Sequence, residues 1–256
     1  MEHTFARNYE SAPLKAASFP SLRFYSRLVA IFWNAAKVAK AGKYDGDRWA
    51  YDSMLVGRLL EDMGIHVSIE GIENLDFEGP CVFEANHMST LETLFLPCII
   101  QPLRDTTFVV KRQLLGYPCL GPVLAAREPI ALGRANPRED LKLVMEDGQR
   151  ILASGRSVIV FTQGTRRSNV EPGDFNSLAV KLARKANVPV VPIALKTDAW
   201  GEGSLIKDIG PIDPKLPIHV RFGAPVEIKG AREEHTAIVD FIKNSFDSWV
   251  AADGKA

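Results

Sequence analysis

The 256-residue chain has little cysteine: Cys81, Cys98 and Cys119 are odd in number, far apart and without a CxxC pair. That excludes a disulfide framework and a zinc site, and it fits a reducing, cytosolic setting. Excess charge of one sign is also missing, with 31 Lys+Arg against 31 Asp+Glu. A neutral average with 46% hydrophobic residues excludes an intrinsically disordered chain and supplies no bulk attraction to nucleic acid. No apolar stretch approaches the roughly 18 to 20 residues of a spanning helix, and the longest, 28–33 and 94–100, fall far short. The first twenty residues carry Glu2, Arg7, Glu10 and Lys15 and lack the apolar centre of a secretory signal. There is no internal repeat and no Gly- or Ser-rich linker. What remains is a length ample for one large hydrophobic core.

Charge is nonetheless unevenly spread. Residues 21–43 hold five cations, Arg23, Arg27, Lys37, Lys40 and Lys43, and no acid. At helical spacing, Phe24, Leu28, Ile31, Phe32, Ala35, Val38 and Ala39 fall in one arc of about 120°, so this is an amphipathic basic helix. A second helical pattern starts at Asp47, a candidate cap, and stops at Gly64. Two readings stand side by side: both helices cover the main core, or the first lies on an anionic membrane surface through Phe24, Leu28, Ile31 and Phe32.

From residue 65 onward, short β-rich runs alternate with helical patterns. Strands are expected near 66–70, 80–84, 106–110, 157–161, 188–195 and 218–222, and helices near 89–101, 138–154, 177–187 and 232–251. Apolar strands separated by helices predict an α/β fold with a mixed, largely parallel sheet flanked by helices. The expected organisation is a tail over 1–20, an amphipathic helical hairpin over 21–64 and an α/β domain over 65–252.

The strand over 81–85 runs into Asn86-His87-Met88-Ser89-Thr90-Leu91-Glu92, and strand-to-helix turns of this kind are where α/β folds place reacting groups. Glu92 in the first turn of a helix would accept a hydrogen bond from His87 ahead of it, fixing the tautomer and supporting the imidazolium. The same residues also form a capping box, Ser89-x-x-Glu92, in which Glu92 serves the backbone. The local pattern leaves both open.

Further motifs extend the comparison. Lys111, Pro118, Gly121 and Arg134 follow in a second block, Phe161-Thr162-Gln163-Gly164-Thr165-Arg166-Arg167 forms a third, and Val188-Pro189-Val190-Val191-Pro192 a fourth. Together with Asn86, His87, Ser89 and Glu92, these blocks resemble, in order, the four motifs of the glycerolipid acyltransferase family. The resemblance spans about residues 80 to 195. It implies that His87 removes the proton of an acceptor hydroxyl attacking an acyl thioester, with Glu92 orienting His87. It further implies that Gly164, Thr165 and Arg166 meet the acceptor's phosphate, where a planar guanidinium suits two phosphate oxygens. Lys111 and Arg112 would add charge, Arg134 would be a lesser contributor, and amides near Ser89 would stabilise the oxyanion. Apart from the family, Gly164-Thr165-Arg166 reads equally as a turn with a solvated arginine.

Two departures from the family pattern matter. Glu92 replaces an aspartate, and Gln163 replaces a glutamate, which makes the acceptor pocket more positive. The implied activity is transfer of a fatty acyl group from acyl-CoA or acyl carrier protein to a lysophospholipid such as 1-acyl-glycerol-3-phosphate, at the cytoplasmic face of a membrane. Another lyso-lipid, glycolipid or amino-lipid acceptor and a lapsed lipid-binding protein are the alternatives. Neither a cofactor nor a metal is implied.

Overall fold

In the computed structural model, which describes residues 8–12, 15–133, 135–204 and 206–254, the chain opens with a short strand β1 (Tyr9–Glu10). Two helices follow, α1 (Pro20–Lys40) and α2 (Gly46–Asp62), and then alternating strands and helices. These are β2 (Val67–Glu70), β3 (Val82–Ala85), α3 (Leu91–Ile100), β4 (Thr106–Lys111), α4 (Leu120–Ala126), β5 (Ile130–Leu132) and α5 (Pro137–Ala153). The remainder comprises β6 (Ser157–Phe161), α6 (Leu178–Ala186), β7 (Val190–Lys196), β8 (Ile218–Phe222) and α7 (Arg232–Asp253). Helix α2 is capped by Asp45, not Asp47: the Asp45 carboxylate accepts from Arg48 N at 2.8 Å, one turn before the true apolar stripe begins. Gly64, at φ 89°, lets the chain turn out of that helix.

The eight strands form one sheet in the order β1-β2-β8-β7-β3-β6-β4-β5. The central pairs β3/β6, β3/β7 and β4/β6 are parallel, whereas β7/β8 and β1/β2 are antiparallel. The expected α/β fold with a mixed sheet flanked by helices is thus the one found. Continuous burial along β3 and β7 follows from helices on both faces: α1, α2 and α3 on one, α5, α6 and α7 on the other. Because β3, β6 and β4 run the same way, their carboxyl ends bring the 86–92 turn, the 162–167 turn and Lys111 to one edge.

The hairpin does not stand apart from this core. Phe24 is fully buried and Leu28 nearly so, in the same apolar cluster as Phe83, Leu91 and Ile159. Phe24 packs edge-on against Trp200 at 4.9 Å between ring centres. The expectation that Phe24 and Leu28 contact lipid is therefore corrected: the strongest apolar stripe of α1 is spent on the core, as such stripes are in a globular fold. Ile31 and Phe32 are half-buried and line an apolar cleft with Ala35, Trp49, Leu94 and Val110. On the opposite face of α1 a second row is exposed, Leu22, Val29 and Trp33, continued by Phe19 just before the helix. No helix among the described residues is long and apolar enough to cross a membrane.

Candidate active site

The two oxygens of Glu92 are divided. Oε2 lies 2.6 Å from His87 Nδ1, while Oε1 accepts from Met88 N at 2.9 Å and Ser89 N at 2.8 Å. Glu92 thus reaches the imidazole and the backbone at once, and only its half of the capping box is formed, since Ser89 Oγ accepts from Leu91 N at 3.1 Å. Oε1 further accepts from the Thr197 hydroxyl, to which Ser89 Oγ donates at 3.0 Å. Glu92 is 1% exposed, and the two backbone amides and the Thr197 hydroxyl all donate to its Oε1. An acceptor at Nδ1 holds the proton there and leaves Nε2 with the lone pair.

His87 itself is held from four sides. Its backbone N–H donates to Gln163 Oε1 at 2.8 Å, and its carbonyl accepts from Arg167 N at 2.9 Å. Its ring stacks on Phe161 with centres 4.5 Å apart, and Phe161 stacks in turn on Phe108. The preceding Asn86 is fully buried and behaves as an inserted peptide group: Nδ2 donates to Leu195 O and Oδ1 accepts from Leu195 N, both at 2.8 Å. This clamp fastens the end of β3 to β7 immediately before the histidine. The side chain of His87 remains 19% exposed, so one edge of the ring reaches the surface of the cleft.

The other expected site residues divide into those the fold brings here and those it uses differently. Arg166 and the exposed Gly164 and Thr165 lie on the turn that follows β6, beside His87 in the parallel register Ala85 to Phe161. No protein atom stands within 4 Å of the position a Cβ on Gly164 would take, so space in front of that backbone is open. Lys111 and Arg112 are exposed at the end of β4, and Arg112 Nη2 donates to Ala131 O at 3.3 Å. Arg134 lies outside the described residues.

Gln163 requires correction as a substrate-binding residue. It is 1% exposed, and its amide is spent on backbone: Oε1 on His87 N and Nε2 on Asn169 O at 3.3 Å. It braces the turn that carries His87. Of the amides near Ser89, those of Met88 and Ser89 donate to Glu92 and that of Leu91 to Ser89 Oγ. Gly121 of the second block is structural, since a Cβ there would stand 2.2 Å from Leu115 O.

Sequence reasoning missed Thr197, Phe161 as a ring platform, and Asp208, whose Oδ1 lies 2.5 Å from Arg166 Nη2. Thr197 was within sight, following β7 directly after the fourth motif. Asp208 carried no signal, because its approach to Arg166 depends on the path of a loop. Glu84, fully buried on β3, accepts from Thr162 Oγ1 at 3.0 Å, and burial pushes its carboxyl up to about 8. Among the described residues no group of three or more His, Cys, Asp or Glu side chains gathers as a metal site.

Comparison with known proteins meets the same residues. The family model described as Acyltransferase matches residues 66–196, just over half of the chain. A 1-acyl-sn-glycerol-3-phosphate acyltransferase of Pseudomonas aeruginosa is 40% identical over 131 residues, covering 51% of this chain and 49% of that protein. One from Limnanthes alba is 26% identical over 202 residues, covering 78% of this chain and 68% of its own. The match thus spans about half the length of the bacterial relative. Among solved structures, the crystal structure of the 1-acyl-sn-glycerophosphate acyltransferase PlsC from Thermotoga maritima superposes with a TM-score of 0.66 at 21% identity, over 91% of this chain and 95% of that one, a likeness of fold. With the family model matched across both the 86–92 and the 162–167 turns, from β2 through β7, the chain belongs to the acyltransferase family.

Proposed function

We propose that this protein transfers a fatty acyl group from a thioester, acyl-CoA or acyl carrier protein, to the free hydroxyl of 1-acyl-glycerol-3-phosphate, giving phosphatidic acid. The observation that carries the reading is the His87–Glu92 pair, with Nδ1 held at 2.6 Å by a buried carboxylate and the opposite nitrogen left as the base. In the reaction the acceptor oxygen attacks the thioester carbonyl carbon while Nε2 of His87 takes its proton. The tetrahedral intermediate collapses with cleavage of the C–S bond, and the departing sulfur receives that proton as a thiol. Arg166, with Gly164 and Thr165 at its side, receives the acceptor's phosphate, and Lys111 and Arg112 add positive charge along the same edge. The cleft between α1, α2, α3 and α4 receives the acyl chain: its walls are mostly apolar, with Asp52 and Ser53 as polar exceptions, and Thr93, next to Glu92, is among them.

Membrane association belongs to the same proposal, with the lipid-facing residues reassigned. Leu22, Val29 and Trp33, with Phe19, project from the outer face of α1 and are 59% to 78% exposed. Lys37 and Lys40 continue the row, and Lys37 Nζ lies 5.7 Å from the Trp33 ring centre. Apolar residues followed by cations on one helical face complement an anionic bilayer. Each large side chain fully buried there contributes about 1.5 to 3 kcal/mol and each cation about 1 kcal/mol, enough for reversible binding.

The direct test mixes the protein with acyl-CoA or acyl carrier protein and a panel of lyso-lipids in vesicles and follows thiol release. Transfer to 1-acyl-glycerol-3-phosphate that falls about 10² to 10⁴-fold in His87→Ala is expected. Absence of thiol release with every acceptor and both donors would leave a binding protein instead.

A further inference from the structure

The arginine assigned to the acceptor's phosphate already has an anion on it. Asp208 Oδ1 lies 2.5 Å from Arg166 Nη2 and also accepts from Thr90 Oγ1 at 3.3 Å, two residues from Glu92 in sequence. The described parts of the loop, 200–204 and 206–212, present this carboxylate in a defined way. Gly201 N donates to Pro211 O at 2.9 Å, Ile209 N donates to Ile206 O at 2.9 Å, and Trp200 bridges to Ile212. The two runs of the loop touch backbone to backbone: a Cβ on Gly210 would stand 1.8 Å from Gly201 O, and one on Gly203 would stand 2.1 Å from Ile209 O. Helix α1 holds the loop from outside, with Ser21 Oγ accepting from Ile212 N at 3.0 Å and the Tyr25 hydroxyl donating to Gly210 O at 2.6 Å. Arg167, the neighbouring cation, is turned toward Asp174 at 3.4 Å.

We propose that Asp208 is a specificity-determining residue that restricts the acceptor to phosphomonoester head groups; this rests on Arg166 as the phosphate ligand. A phosphomonoester has a way past the resident carboxylate that a phosphodiester lacks. As a monoanion, which it populates near its second pKa of about 6, it keeps a P–OH that donates to Asp208 while its other oxygens accept from Arg166. A phosphodiester carries one charge and no ionisable proton, so bringing it to Arg166 sets two anions against each other with no donor between them. Lyso-lipids whose phosphate bears a further head group are rejected by this chemistry. The preference is a difference between two acceptors, produced by a repulsive element in the site.

The test compares lysophosphatidate with lysophosphatidylglycerol, each in phosphatidylcholine vesicles, with acyl-CoA as donor and kcat and KM read from thiol release. For Asp208→Asn, the preference for the monoester is expected to fall at least about tenfold, through a lower KM for the diester, while Asp208→Glu keeps the preference. An unchanged preference ratio, or an equal loss on both acceptors, would overturn the proposal and leave Asp208 as a prop for Arg166. Thermal melting checks the fold, and Asp208→Ser carries the same comparison should the amide disturb the loop. Wild-type protein that acylates neither acceptor would overturn the acyltransferase reading itself; wild-type transfer with an unmoved ratio would overturn only the role of Asp208.

Discussion

Replacing Glu92 by Gln separates catalysis from packing. The amide oxygen can keep the three bonds that Oε1 accepts, from Met88 N, Ser89 N and Thr197 Oγ1. The new NH2 then faces His87 Nδ1 at the 2.6 Å contact and must donate, which forces the proton of the imidazole onto Nε2 and removes the base. A wrong tautomer of this kind costs about 10⁴-fold in kcat in a Ser-His-Asp triad, and about 10³ to 10⁴-fold is expected here. Stability should move little. Each retained bond weakens by about 1 kcal/mol on passing from a charged to a neutral acceptor, about 3 kcal/mol in total, and relief from burying a charge offsets several kcal/mol. A melting temperature within a few degrees of wild type, alongside a kcat in the thiol-release assay lower by at least 10³, is the expected pair of results. Combining Glu92→Gln with His87→Ala should add no further loss beyond His87→Ala alone, because both remove one function. A variant that keeps kcat within tenfold and loses only thermal stability would refute the orienting role and leave Glu92 as a cap.

Other residues offer separate tests. Changing Leu22, Val29 and Trp33 together to Ser should abolish co-sedimentation with anionic liposomes at unchanged melting temperature, whereas Leu28→Ala should leave sedimentation intact and destabilise by about 2 to 5 kcal/mol; the reverse pattern would return the lipid face to the buried stripe. Gln163→Glu should not speed transfer to lysophosphatidate: it sets a carboxylate oxygen against Asn169 O and is expected to lower stability by about 1 to 3 kcal/mol in chemical denaturation, and a faster, equally stable variant would contradict the bracing role. Glu84, held protonated by burial beside Thr162 and with His235 Nδ1 at 3.6 Å, binds a proton in the folded state that the unfolded chain releases above its ordinary range near 4.5. Its contribution is therefore present at low pH and lost as pH rises from about 4.5 to about 8. Urea unfolding across that window should show this slope in wild type and a flatter one in Glu84→Gln; equal slopes would exclude Glu84 as its source.

Much of the fold was legible because its strands announce themselves. Residues 157–161 and 218–222 are strands with the expected bounds, since β-branched runs between turn residues have few alternatives. The three-residue strand β5 and helix α4 were not, being too short to display a period. His87, Glu92 and Arg166 were legible as motif residues, but their partners were not: Thr197 and Gln163 act through contacts that span 105 and 76 residues, which periodicity does not encode. The expectation that Phe24 and Leu28 lie at a surface failed for a related reason. The helix is apolar on two opposite sides, and the stronger stripe, Phe24 and Leu28, is the one a core claims first.

That two-sided helix has a mechanical consequence. Enzymes joined to a membrane anchor by a flexible linker meet their substrate at an effective concentration set by linker length. Here the inner side of α1 shares one close-packed core with β3, α3 and β6, and its Ser21 and Tyr25 grip the loop that carries Asp208. The helix is a mount instead of a leash. In the membrane docking proposed above, with the outer row of Leu22, Val29 and Trp33 bedded in lipid, the height and tilt of His87 above the bilayer would be dimensions of the fold itself.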